Sequence, residues 1–207
     1  MRDDTDSAHS ESPFTSSPEA FRRAHARYQP DPLRVLFIAE APPAYRTNRL
    51  FYFFDLTTGD ALFLEMMKVI YGPELGFTEN LGFTRQSSAK HLRGRKAELL
   101  KQFMTDGYFL IDASAEPMPD NATTAVKLAL LRKSLPDLKY RVGRLIGKRN
   151  VSIVLIGGVT YLACYDVLKA EGYIIVNEEM INHPARGGQV LFRQKLRQTL
   201  DRVDDDV

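Results

Sequence analysis

Val35-Leu36-Phe37-Ile38-Ala39-Glu40-Ala41-Pro42-Pro43 decides the fold. Four apolar residues in a row, with no polar alternation, read as a strand buried on both faces, as in a parallel sheet. The run stops at a carboxylate and two prolines. Proline lacks the N–H that a sheet ladder needs, so Glu40 is expected just past the strand's carboxyl end. In open α/β sheets that is where ligands bind. Far downstream, Tyr173-Ile174-Ile175-Val176 leads to Asn182-His183-Pro184-Ala185. Two strand ends, one offering Glu and the other His, suggest a pocket with acid/base chemistry.

Working outward, Pro18 opens a helix that reaches about Tyr28 and ends at Pro30-Asp31-Pro32. The first strand covers 34–39. Asp60 is placed to cap a helix with Leu62, Phe63, Met66, Met67 and Ile70 on its buried side. Further helices are expected over 88–106, 123–134, 137–148, 160–171 and 189–200. Further strands are expected over 108–112, 151–156 and 173–176. Gly157-Gly158 could cradle a phosphate, but a tight strand-to-helix turn is favoured. Strands alternating with helices imply crossovers, a four-stranded mostly parallel sheet and a three-layer α/β/α sandwich. The expected organisation is a disordered tail over 1–16, one domain over 17–202 and an acidic tail over 203–207.

At 207 residues and 44% hydrophobic content the chain can build one substantial core. Arg2-Asp3-Asp4 follows Met1 with no apolar stretch, so a secretory leader is not expected. No run approaches the ~20 apolar residues of a membrane span. Cys164 is the only cysteine, which excludes an intrachain disulfide and an all-cysteine metal cage. A cytoplasmic, monomeric protein is the expectation. His9, His25, His91 and His183 form no H-E-x-x-H pair, and the glycine-rich dinucleotide and P-loop signatures are absent. Neither metal nor cofactor is therefore expected. No G-x-S-x-G elbow appears either. Each end of the chain is net −3, over 1–11 and 201–207; with a total of +2, residues 12–200 hold +8. A polyanionic partner is compatible with that charge and not required by it.

The order strand–AEAPP, strand–IDA, strand–GG, strand–NHPARGG–helix resembles the uracil-DNA glycosylase superfamily. Ala39-Glu40-Ala41-Pro42-Pro43 is similar to that family's water-positioning motif, G-E-A-P-G in one branch, and His183-Pro184 begins its H-P-S motif. By element order the resemblance runs from about Val35 to Leu200. Ala39 and Pro43 stand where that motif has glycines, and Ala185 stands where the serine would contact a DNA phosphate. The G-E-A-P-G branch carries an iron–sulfur cluster on four cysteines, which a chain with Cys164 alone cannot hold that way.

The resemblance implies a uracil-DNA-glycosylase-like fold and hydrolysis of the N-glycosidic bond of a modified or mismatched base flipped from DNA. Glu40 would position the water, and His183 would stabilise the leaving base. Ala39, Ala41 and Pro42 would line the base, with Phe51 or Phe53 stacking on it. Asp112 would stand where the family reads uracil with asparagine. An ionised carboxylate only accepts hydrogen bonds, so it would suit an edge with two donors better than uracil. Arg46, Arg49, Arg93, Arg95, Arg186 and Gly187 would contact phosphate. The partner implied is DNA, single-stranded DNA included, or a nucleotide.

Plainer readings stay open for each residue. Glu40 could bind backbone amides or an arginine, His183 could orient its loop, and Asp112 could cap a turn. The aromatics of 51–54 could be core. Arg46, Arg49 and the basic stretch Arg85, Lys90, His91, Arg93, Arg95, Lys96 and Lys101 could be a solvated face. Two other functions remain beside excision: a glycosylase-like binder of nucleic acid or nucleotide without turnover, and a hydrolase of free nucleosides.

Overall fold

The computed structural model describes residues 18–42, 51–52, 60–77, 88–185 and 187–205. Among these, helices and strands alternate as α1 (Pro18–Arg27), β1 (Val35–Ala39), α2 (Ala61–Ile70), α3 (Ala89–Gly94), α4 (Lys96–Thr105), β2 (Tyr108–Asp112), α5 (Thr124–Ile146), β3 (Ser152–Leu155), α6 (Gly158–Ala170), β4 (Ile174–Ile175) and α7 (Gln189–Asp205). The unbroken apolar run of β1 reflects its place. It has a parallel neighbour on each side, and all five of its residues are buried. The four strands form one all-parallel sheet in the order β2-β1-β3-β4.

From β1 the chain goes out to β2 at one edge, returns past β1 to β3, and continues to β4. Right-handed crossovers then put α2, α3 and α4 on one face and α5 and α6 on the other. The packing agrees, since α7 lies on α2 and α5 lies on α6. The arrangement is consistent with three α/β/α layers. β1 and β3 are neighbours whose outgoing connections leave to opposite faces, and a crevice is expected between their carboxyl ends.

Backbone pairing continues beyond the strands and holds their tips in line. Ala113 N donates to Ala39 O at 2.8 Å, Ser114 N to Glu40 O at 3.1 Å, and Gly157 N to Ile181 O at 2.7 Å. β4 has only two residues, but the buried Asn177 side chain takes over the ladder. Its Oδ1 accepts from Leu155 N at 2.9 Å and its Nδ2 donates to Leu155 O at 3.2 Å. Ile181 then pairs with Ile156, two residues before His183. On the outer edge of β2 the Tyr52 hydroxyl acts as a one-residue neighbouring strand. It accepts from Leu110 N at 2.7 Å and donates to Leu110 O at 3.0 Å.

The structure corrects several details of the sequence expectation, including the strands expected over 151–156 and 173–176, which are shorter at Ser152–Leu155 and Ile174–Ile175. The helices expected over 123–134 and 137–148 are one helix, α5, with Pro136 inside it. Leu131, Leu138, Val142 and Ile146 form one buried stripe across the proline, while Pro136 and Arg132 face solvent, where water can satisfy the lost hydrogen bond. The helix expected over 88–106 breaks at Arg95, next to Gly94. α7, expected over 189–200, runs on to Asp205 because Val203, one heptad beyond the buried Leu196, is itself buried. Asp60 precedes α2 but makes no side-chain cap; its carboxylate is taken by Arg93. No helix among the described residues is long and apolar enough to cross a membrane.

His25 shows how the core constrains charge. Its ring meets Tyr52 edge-on at 5.1 Å, and its Nε2 is buried without a hydrogen-bond partner. Loss of hydration, then the Arg141 charge, lowers the imidazole from 6.5 to about 4. Below pH 6.5 the unfolded chain takes up a proton that the folded chain refuses until about pH 4. Stability therefore falls across that window and levels off beneath it, by a maximum of about 3 kcal/mol from this group. Urea midpoints at pH 7 and 4.5 should show His25→Phe losing less stability on acidification than the wild type. Equal losses would mean that His25 does not carry the effect.

Candidate functional site

A cavity of about 460 Å³ opens between the tips of β1 and β3. That volume falls within the ~300–1,000 Å³ range of small-ligand sites. Its apolar wall includes Phe51, Leu62, Phe63, Leu110 and Ile156. Its polar lining is Glu40, Asp60, Asp112, Lys127 and His183. Phe51 is both wall and core, edge-on to Phe63 at 5.8 Å and beside Phe103 at 5.7 Å.

Each polar side chain arrives by a different route. Glu40 follows the last residue of β1, and its carbonyl is pinned by Ser114 N. Asp112 ends β2 opposite Ala39, on the sheet face shared with Leu110 and Phe37. Arg141 of α5 fixes that strand end by donating to the carbonyls of Asp112 and Ala113 at 2.9 and 3.0 Å. His183 lies beyond the Ile181 pairing in a tight turn, where Ala185 N donates to its carbonyl at 2.8 Å. Lys127 comes from the first turn of α5, whose Thr123 cap accepts from Val126 N at 3.3 Å. Asp60 is held by both nitrogens of the Arg93 fork, at 2.8 and 2.7 Å.

The electrostatics divide these groups. Lys127 Nζ donates to Glu40 Oε1 at 2.7 Å, an ion pair that engages one of the two carboxylate oxygens. His183 is pushed below its usual value by lost hydration; Glu40 opposes this and Lys127 adds to it. A neutral imidazole at neutral pH can donate one N–H to an oxygen that gains negative charge. Burial pushes the Asp112 carboxyl up to about 7, with Arg141 opposing and Glu40 adding. Among the described residues no hydrogen bond reaches its side-chain oxygens. The sequence reading takes Asp112 as ionised; burial makes it a mixture of acid and carboxylate at neutral pH.

Of the residues singled out from sequence, the cavity brings together Glu40, His183, Ala39, Ala41, Phe51 and Asp112. Pro42 is buried but does not line the cavity. Phe53, Arg46, Arg49, Arg85 and Arg186 lie outside the described residues. Arg93 and Arg95 do not line it: Arg93 is paired with Asp60, and Arg95 with Glu98 at the surface. Lys96, read as part of the same basic stretch, is buried with its Nζ 4.6 Å from the centre of the Phe63 ring. Gly187 is exposed with φ +90° and does not line the cavity. Gly157 makes the strand-to-helix turn, at φ +103°.

Sequence reasoning missed Lys127 and the wall role of Asp60. The Lys127 contact spans 87 positions and no local pattern announces it. Among the described residues no group of three or more His, Cys, Asp or Glu side chains is arranged to hold a metal ion. Cys164 is buried, and burial pushes its thiol up to about 12, so it is a core residue. Comparisons of the chain with protein-family models, with curated proteins and with solved structures found no match.

Proposed function

We propose that the cavity receives a nucleobase flipped from DNA and that the protein hydrolyses its N-glycosidic bond, as a uracil-DNA-glycosylase-like enzyme without an iron–sulfur cluster. One observation carries this reading: Glu40 just past β1, Asp112 at the end of β2 and His183 just past the Ile181 bridge line one cavity where the sheet's connections diverge. In the proposed step the C1′–N bond breaks and its electron pair leaves with the base. A water oxygen bonds to C1′ of the oxocarbenium-like sugar, and the proton it loses passes to Glu40 and then to the departed base anion. Glu40 orients that water and faces the developing cation, while a neutral His183 donates its N–H to the oxygen of the departing base. Phe51 and Phe63 offer aromatic surface, and base stacking is worth roughly 1–3 kcal/mol per base.

The Lys127–Glu40 ion pair favours a second reading, binding without turnover, because the ammonium occupies one carboxylate oxygen and leaves only the other to hold a water. One assay separates the two. The chain is incubated with single- and double-stranded oligonucleotides carrying uracil, hypoxanthine, xanthine or an alkylated base, and with the free nucleosides. Excision predicts abasic sites in at least one oligonucleotide. Retention of DNA with no abasic site in any of them would favour the binder, and turnover confined to free nucleosides would exclude DNA as the substrate.

A further inference from the structure

We propose that Asp112 reads the bound base as a neutral acid, through one donated and one accepted hydrogen bond, and that this recognition is lost as the pH rises. The inference rests on the reading of the cavity as a nucleobase site and assigns the edge by which the base is held.

Geometry carries it. The Asp112 side chain is buried, lines the cavity, and receives no hydrogen bond from the described residues. The cations nearby are engaged elsewhere. The Arg141 guanidinium is held by two backbone carbonyls and Asp137, and Lys127 is held by Glu40. A buried carboxylate with neither donor nor counter-ion in contact is costly, and protonation removes that cost. The resulting acid presents one O–H and one carbonyl oxygen side by side. Its complement is a ring with an acceptor beside a donor, such as the carbonyl and N–H of uracil or hypoxanthine. Cytosine offers the same pair in reverse order, and a carboxyl whose proton can sit on either oxygen accepts both. Asp112 therefore selects a hydrogen-bonding pattern and does not by itself separate these bases.

The charged groups around Asp112 are engaged with partners of their own. From the tip of β1, Glu40 raises it; from α5, Arg141 lowers it. Lys127, also of α5, is paired with Glu40, and Asp60, before α2, is paired with Arg93. Tyr52, against the edge of β2, is raised well above 10 by burial. Burial lowers His183 below its ordinary 6.5 and His25 to about 4, so both imidazoles move towards the neutral form in this range. Asp112 itself sits at about 7.

The test is calorimetric titration of the wild type and Asp112→Asn with free uracil and with 3-methyluracil, at pH 6.5 and 8.5. It is paired with a carboxyl-carbon NMR titration of Asp112 in the unliganded wild type. Asparagine keeps one donor and one acceptor at every pH, so it reports any pH effect that belongs to uracil itself. For the wild type, uracil should bind roughly 20-fold more weakly at pH 8.5, as the competent neutral fraction falls. The variant should bind it equally at both values. Methylation at N3 removes the donor and should weaken binding to both proteins. A wild-type Kd for uracil that is flat with pH overturns the proposal and leaves the base-site reading standing. An Asp112 carboxyl that titrates near the ordinary aspartate value overturns it without reference to any ligand. No uracil bound by either protein at either pH overturns both the proposal and the reading beneath it.

Discussion

Glu40→Ala and Glu40→Gln are expected to fold normally and to release base from DNA at least a hundredfold more slowly than the wild type. A positioned acid or base is worth about 10²–10⁴ in rate. The strand end does not depend on the side chain, since the Glu40 carbonyl is pinned by Ser114 N and the Ala39 carbonyl by Ala113 N. The Lys127–Glu40 pair is half-buried, and such pairs contribute roughly 0–1 kcal/mol. Folding should therefore survive the substitution while the water loses its anchor. Single-turnover excision, read as alkali-labile abasic sites, measures the rate, and thermal melting checks the fold. A folded Glu40→Ala protein with the wild-type rate would remove Glu40 from the chemistry.

The second large effect is on stability. Glu65 of α2 is buried between Lys68, whose Nζ lies 2.6 Å from Oε1, and Arg193 of α7, which engages the other oxygen. All three side chains are buried, and Arg193 also lies over the Phe77 ring at 5.2 Å. This charge-assisted joint ties the closing helix to α2, the helix whose Leu62 and Phe63 form part of the cavity wall. Glu65→Ala removes the buried anion that Lys68 and Arg193 share. Breaking a buried pair from one side costs about 3–5 kcal/mol, which for a chain of this size is a fall in Tm on the order of 10 °C. Glu19→Ala, which removes an exposed pair with Arg23 on α1, is the control and should move Tm little. If the two variants melt together, the buried joint does not hold α7 in place.

The legible part of this molecule was its sheet. Apolar runs bounded by proline and glycine mark β1, β2 and β3 because a parallel strand covered by helices on both faces has no solvent face on which to alternate. The same logic located Glu40 and His183, since residues just past strand ends gather at one edge of a parallel sheet. Lys127 was not legible: its contact depends on how the α5 crossover lands over β1, which is tertiary information. The state of Asp112 was hidden for the same reason, because burial and a missing donor, not residue type, move its carboxyl to about 7. Pro136 misled in the other direction. A proline usually ends a helix, but here a buried stripe on the far side carries α5 through it.

The most direct test of the account is a crystal structure of the chain with DNA containing an abasic site and with free uracil. The account predicts the base inside the cavity, its N3–H and O4 edge against Asp112, an oxygen near the His183 imidazole, and the sugar facing Glu40. DNA bound on another face, with no base between Glu40 and His183, would contradict it.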